Sequence, residues 1–148
     1  VILFRESLLA HAKELGMTVI ESEHYEADSF DAQHFVSTVF AHPDRPTAII
    51  NQANASVLSQ VLMALHDAGM SIPQDVSVLS CGTYFEGEPT RFPITEMPVM
   101  PEELCAEAMN LLVSAIEEHT DIKGSVELIE PAMKRRGSVA EAGSGGTI

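Results

Sequence analysis

The stretch from Arg45 to Gly82, RPTAIINQANASVLSQVLMALHDAGMSIPQDVSVLSCG, decides the fold. A short apolar run (Ala48, Ile49, Ile50) stops at a polar turn holding Asn51, Gln52 and Asn54. A helical pattern follows and closes at Gly69, and Ile72-Pro73 leads into a second apolar run, Val76 to Leu79. In order this is strand, polar turn, helix, glycine stop, strand, the unit of parallel α/β sheets with right-handed crossovers. Ligands of such sheets bind beyond the carboxyl ends of the strands. The turn after Ile50 and the residues after Leu79 are therefore where a site is expected.

Asn54 is placed to cap a helix reaching about Ala68, with Val57, Val61 and Ala68 on one side and Leu58, Leu62 and Leu65 on another. So broad an apolar surface predicts burial on two sides, against a core and against another subunit. Leu58, Leu62 and Met63 are the candidate dimer residues. The β-branched run Val76 to Leu79 reads as a central parallel strand. Upstream, residues 5–15 carry Leu8, Leu9, Ala12 and Leu15 at helical spacing before Gly16, and residues 17–20 form a strand candidate. Asp28 or Ser29 is placed to cap a helix carrying Phe30, Phe35, Val36, Val39 and Phe40, which ends before His42-Pro43.

Downstream, residues 80–93 contain Gly82, Gly87, Pro89 and Pro93 and read as a long irregular segment, of the kind that is functional or mobile. Residues 94–97 are short and extended. Pro101 suits a helix's first position, with Glu102 and Glu103 at the positive end of its dipole. That helix places Leu104, Ala108, Leu111, Leu112, Ala115 and Ile116 on one face. Residues 125–129 and 133–136 read as extended pieces parted by Pro131, and the tail 141–148 (EAGSGGTI) as flexible.

Composition narrows the function. At 148 residues and 45% apolar content the chain is one domain's worth with a real core. No apolar run approaches the ~20 residues of a membrane span, and residues 1–4 are too short and lack the basic lead of a signal peptide. A chain opening on Val1 is expected to be a fragment or a processed product. The two cysteines, Cys81 and Cys105, show no CxxC spacing and are expected to be free thiols in a reducing, cytoplasmic compartment. A net charge of −14 excludes nucleic-acid binding by this chain itself; Lys134-Arg135-Arg136 is too short a basic cluster to matter alone. The spread acidity reads as a solvated surface, not a cation site. Six histidines show no HxH or HxxxH spacing, so no metal site is expected. There is no GxGxxG or GxxxxGK loop and no GxSxG elbow at Ser80. Cys81 lacks a basic neighbour to lower its pKa. No cofactor is expected and no enzyme activity, a small α/β enzyme using Cys81 being the last-ranked reading.

The motifs also carry a resemblance. PTAII (46–50), a polar turn, a helix ending in AG and IPQDVSVLS (72–80) together resemble the sensor domains of LacI/GalR-type transcription regulators. FPITEMPVMPEELCAEAMNLLVSAIE (92–117) is similar to that family's P-x-L-T-T-V-x-x-P turn and its following helix, and PAMKRRGSV (131–139) to its closing P-x-x-x-x-R-x-S strand. The match is collinear from Arg45 to Val139, and residues 5–44 fit more loosely. The resemblance implies an α/β, parallel-sheet three-layer sandwich of the periplasmic-binding-protein-like type I class, present in part and mainly as one lobe. Residues 1–140 would be an effector-binding and dimerisation domain, with 5–93 and about 131–138 in the second lobe and 94–130 in the first. The helix-turn-helix headpiece and most of the first lobe would lie outside this chain, leaving the helix after Pro101 short of a packing partner.

By the same resemblance a small polar, sugar-like or nucleoside-like metabolite would sit at the strand ends, contacted by Arg5, Tyr25, Asn51, Asn54, Gly82 and Thr83. Three of them have a plainer alternative: Arg5 as a surface arginine paired to a carboxylate such as Glu6, Asn54 as a helix cap, and Tyr25, with Phe30, as packing. After Leu79 the chain departs from the family. Ser80-Cys81-Gly82-Thr83 replaces the Gly-aromatic-Asp-Asp turn, so the carboxylate that would grip a sugar hydroxyl or purine is gone, with Thr83 or Glu86 as substitutes. The reading is a dimeric, cytoplasmic, ligand-binding sensor portion of a LacI-type regulator. The alternative is a solute-binding protein of the same fold, such as a periplasmic sugar or nucleoside binder.

Overall fold

The computed structural model of the chain describes residues 2–22, 29–52, 54–83, 92–124 and 126–141. Strands β1 (Ala48–Asn51), β2 (Ser77–Thr83) and β3 (Thr95–Pro98) form one sheet in the order β1-β2-β3, both pairings parallel. Between β1 and β2 runs α3 (Ala55–Asp67). Helices α1 (Ile2–Glu14) and α2 (Ala32–Val39) precede the sheet, and α4 (Pro101–Glu118) follows it. β2 is the central strand, as its apolar run predicts, and Val76 and Val78 are fully buried.

The helix boundaries have local causes. α1 and α3 both end in paired turn hydrogen bonds around a glycine. Gly69, at φ +73°, donates to the His66 carbonyl while Met70 donates to that of Leu65; Gly16 and Met17 repeat the pattern on Lys13 and Ala12. Positive φ costs glycine nothing and satisfies carbonyls the helix leaves bare. Asn54 caps α3, its side-chain oxygen accepting from the Val57 N–H at 3.0 Å. The cap of α2 is Asp31, not Asp28 or Ser29: its carboxylate accepts from the His34 N–H at 2.9 Å. Phe30, just before that cap, lies 5.7 Å from Phe35 between ring centroids, a hydrophobic staple that fixes how the chain enters α2.

The core joins α2, α3 and the sheet. Val36 meets Leu58, Val61, Leu62 and Leu65 of α3 over Val76, Val78 and Ile94. Both apolar sides of α3 are thus consumed inside the chain. Leu58 is 3% and Leu62 1% exposed, so neither is available to a second subunit, and Met63 alone of the three candidate dimer residues stays open at 54%. The apolar arc is wide because α3 packs on the sheet and on α2 together.

Three other expectations are corrected. Residues 17–20 form no strand, and Met17, Val19 and Ile20 are exposed, with no strand paired to them among the described residues. β2 runs on through Thr83, where an irregular segment was expected from Ser80. It gains partners there: Cys81 pairs with Met97, and the register then slips so that Thr83 faces Pro98. Residues 126–129 are not a strand, and Val126 and Leu128 are exposed. α4 begins at Pro101 as predicted, but it has no buried residue; Leu104, Leu112 and Ile116 of its apolar face stand open.

Residues 134–140 lie against the sheet. Glu96 and Lys134 exchange backbone hydrogen bonds as an antiparallel bridge. The Ser138 hydroxyl accepts from the Thr95 N–H at 2.7 Å and donates to the Val78 carbonyl at 2.6 Å. Arg136 donates from its backbone N–H to Thr95 Oγ1 and from Nη1 to the Ile94 carbonyl.

Candidate functional site

Parallel pairing brings the carboxyl ends of β1, β2 and β3 to one edge of the sheet. There Asn51 is paired in register with Ser80, and Ser80 with Glu96. Registered residues of parallel strands leave the same face, so the three form a polar row across the sheet. All three are buried, and the Asn51 amide donates to the Ser80 hydroxyl at 3.5 Å.

On the opposite face, one residue further along β2, a cleft of about 330 Å³ opens between the ends of β2 and β3 and the start of α4. Gln52, Cys81, Met97, Met100, Glu103 and Leu104 form its walls, and Ile129 and Pro131 close it. Apart from Gln52, Glu103 and the Cys81 thiol the described lining is apolar. Burial pushes the Cys81 thiol above its usual value of 9.0, so it is a neutral S–H at pH 7. Gly82 is the extra residue of the irregularity between Cys81 and Thr83, and such bulges re-aim a strand end beside a site. A larger, more open depression of about 460 Å³ lies between the start of α2 and the flank of α3. It is built on Phe30, Asp31, Gln60 and Met63, none of which follows a strand.

Of the residues expected to contact ligand, Asn51, Asn54, Gly82 and Thr83 come together at the strand ends. Asn51 is committed to Ser80 and Asn54 to capping α3. Arg5 is not in the cleft wall; it pairs with Glu21, its Nε donating at 2.6 Å. Glu21 is thus its carboxylate, in place of Glu6. Tyr25 and Glu86 lie outside the described residues. Sequence reasoning missed Met97, Met100, Glu103 and Leu104, because it looked after β1 and β2 only; the Pro98-Val99-Met100-Pro101 link, which turns the chain from β3 into α4 at the same edge, is the signal that points to them. Among the described residues no three His, Cys, Asp or Glu side chains gather as a metal cluster, and no helix is long and apolar enough to cross a membrane.

The fold is shared with solved structures. A LacI family transcriptional regulator from Bifidobacterium animalis subsp. lactis is 23% identical with a TM-score of 0.69, over 93% of this chain and 50% of that one. A LacI family regulator from Arthrobacter sp. FB24, solved with lactose, is 21% identical with a TM-score of 0.65, over 91% and 51%. One from Lactobacillus casei, solved with sucrose, is 17% identical with a TM-score of 0.61, over 90% and 50%. The chain therefore spans about half the length of each structure it resembles. It has no match among curated proteins. The periplasmic binding protein-like domain matches residues 3–139; with a parallel sheet open at its carboxyl edge, the chain belongs to that family.

Proposed function

We propose that the chain is the effector-binding portion of a LacI-type transcription regulator, with a small polar, sugar-like metabolite held at the carboxyl edge of the sheet. The family match across residues 3–139 carries this reading. The lactose and sucrose bound by two structural relatives point to a sugar-like ligand. Asn51 at the end of β1 and Asn54 just beyond it, with Gly82 and Thr83 at the end of β2, are the residues we assign to ligand contact, neutral groups suited to hydroxyls. The complete domain would be a dimer in which ligand shifts the balance between open and closed lobes. DNA would be contacted by a headpiece outside these 148 residues. A solute-binding protein of the same fold is the second reading, which the description of the matching family as periplasmic binding protein-like also fits.

A thermal-shift panel of lactose, sucrose, monosaccharides and nucleosides tests the ligand class on the polypeptide that the complete reading frame encodes. A ligand specific to the folded state raises Tm by mass action. A rise that is lost in Asn51→Ala supports the assignment, and a flat panel overturns it. A basic helix-turn-helix in that reading frame selects the regulator, and a leader peptide the solute-binding protein.

A further inference from the structure

Three sulfur-bearing residues, Cys81, Met97 and Met100, line the 330 Å³ cleft at the sheet edge. Cys81 and Met97 are register partners on neighbouring parallel strands. Their side chains therefore leave the same face, from backbones about 5 Å apart. Met100 follows three residues later, where the chain turns from β3 into α4. Cys81 is 5% exposed and a free cysteine. Its thiol is therefore held at the cleft wall, out of bulk water.

We propose that Cys81, Met97 and Met100 form a binding site for a soft monovalent metal ion of the copper(I) or silver(I) class, held by one thiolate and two thioethers. Thiolate and thioether donors select copper(I) over hard cations. Binding breaks the S–H bond, forms an S–metal bond and releases one proton to water. The thiolate's single negative charge cancels the ion's single positive charge, so no net charge is buried; a divalent ion would leave one positive charge uncancelled in an apolar space, which is costly. Among the described residues no lysine or arginine lines the cleft, and Glu103 does. Successive strand residues point to opposite faces, so this site lies on the other side of the sheet from the Asn51–Ser80 row. It stands or falls separately from the sugar-like effector.

The test is an anaerobic copper(I) titration of the full chain against a colorimetric copper(I) chelator. It is made in a Cys105→Ser background, because Cys105 is an exposed thiol on α4 that would take metal by itself. We expect one copper(I) per chain. Met97→Leu and Met100→Leu, which conserve volume and so preserve packing, should each weaken it roughly tenfold or more, and Cys81→Ser should abolish it. X-ray absorption should show a three-sulfur shell. Leucine variants that bind as tightly as the parent, a two-coordinate shell, or no copper held against the chelator would each overturn the site and leave the sulfurs as ordinary packing.

Discussion

The Glu96 carboxylate meets the Arg136 guanidinium at 2.7 Å, with the glutamate side chain 8% and the arginine side chain 36% exposed. The two charges attract without a well-aligned hydrogen bond. The contacting Oε1 has no partner of good angle, and Nη1 donates instead to the Ile94 carbonyl. Glu96 is thus a buried charge whose compensation comes from a residue 40 positions later in the chain.

Removing the arginine strands that charge. Orphaning one member of a fully buried pair costs roughly 3–5 kcal/mol; with the arginine partly in water, Arg136→Met should cost about 2 kcal/mol. Glu96→Gln in the same chain should restore part of it, because the orphan is then neutral. Urea unfolding of the single and double variants measures both. Equal stability of wild type and Arg136→Met would show that the pair contributes nothing.

Ser138 is the second tie between β3 and the closing segment. Ser138→Ala removes the acceptor of the Thr95 N–H and the donor to the Val78 carbonyl, both buried. A loss of about 1–3 kcal/mol is expected for leaving such groups unmet. Hydrogen exchange at the Thr95 amide should accelerate more than at amides of α3.

Asn54 serves α3 as a cap, so Asn54→Ala should lower stability by about 1 kcal/mol. Asn54→Asp keeps the acceptor and adds a negative charge at the helix's positive end, and should be neutral or slightly stabilising. Thermal unfolding of the two variants separates this role from ligand contact, which requires ligand to be present.

Local rules made much of this fold legible before any coordinates. Gly16 and Gly69 announced helix ends, Asn54 a start, Pro101 another start, and Val76 to Leu79 a central strand, because each signal acts within a few residues. What stayed hidden depends on distant partners. β2 continues past Ser80 only because Met97 and Pro98 lie beside it, and nothing in Ser80-Cys81-Gly82-Thr83 encodes that neighbour. Met17 to Ile20 has a strand's composition and, among the described residues, no strand alongside. Leu58 and Leu62 showed the right breadth of apolar surface, but which neighbour covers it is decided by where α2 falls. That the strand ends are where to look was legible from topology; that Met97, Met100 and Glu103 line the cleft there was not, since those residues reach the same edge through β3.

Packing decides the response of adjacent α3 residues. Leu62→Ala opens a cavity in the core and should cost about 2–5 kcal/mol. Met63→Gln, one residue on and 54% exposed, should change stability by less than about 0.5 kcal/mol. If Met63 is a subunit contact, the same substitution should lower the dimer fraction in analytical ultracentrifugation without lowering Tm.

The two thiols should separate by chemistry. Cys105 is exposed and Cys81 buried, so at pH 7 a thiol reagent should label Cys105 first and reach Cys81 on the time scale of local opening. Burial raises the Cys81 thiol, and the unfolded chain therefore loses that proton first on the alkaline side. The residue's contribution to stability is complete below the free-thiol value and is lost as pH rises through the raised folded one. Cys81→Ala should flatten the fall in stability above about pH 9.

The stitches made by residues 134–140 also set a clock. Val78 and Thr95 receive their partner from Ser138, 60 and 43 positions later. A nascent chain can form α3 and pair β1 with β2 early, but the open edge of the sheet must wait for the ribosome to release its closing segment. Until then the buried charge at Glu96 has no counterion and the strand edge no cover. Between synthesis of β3 and of Arg136 the sheet therefore lacks both of these ties.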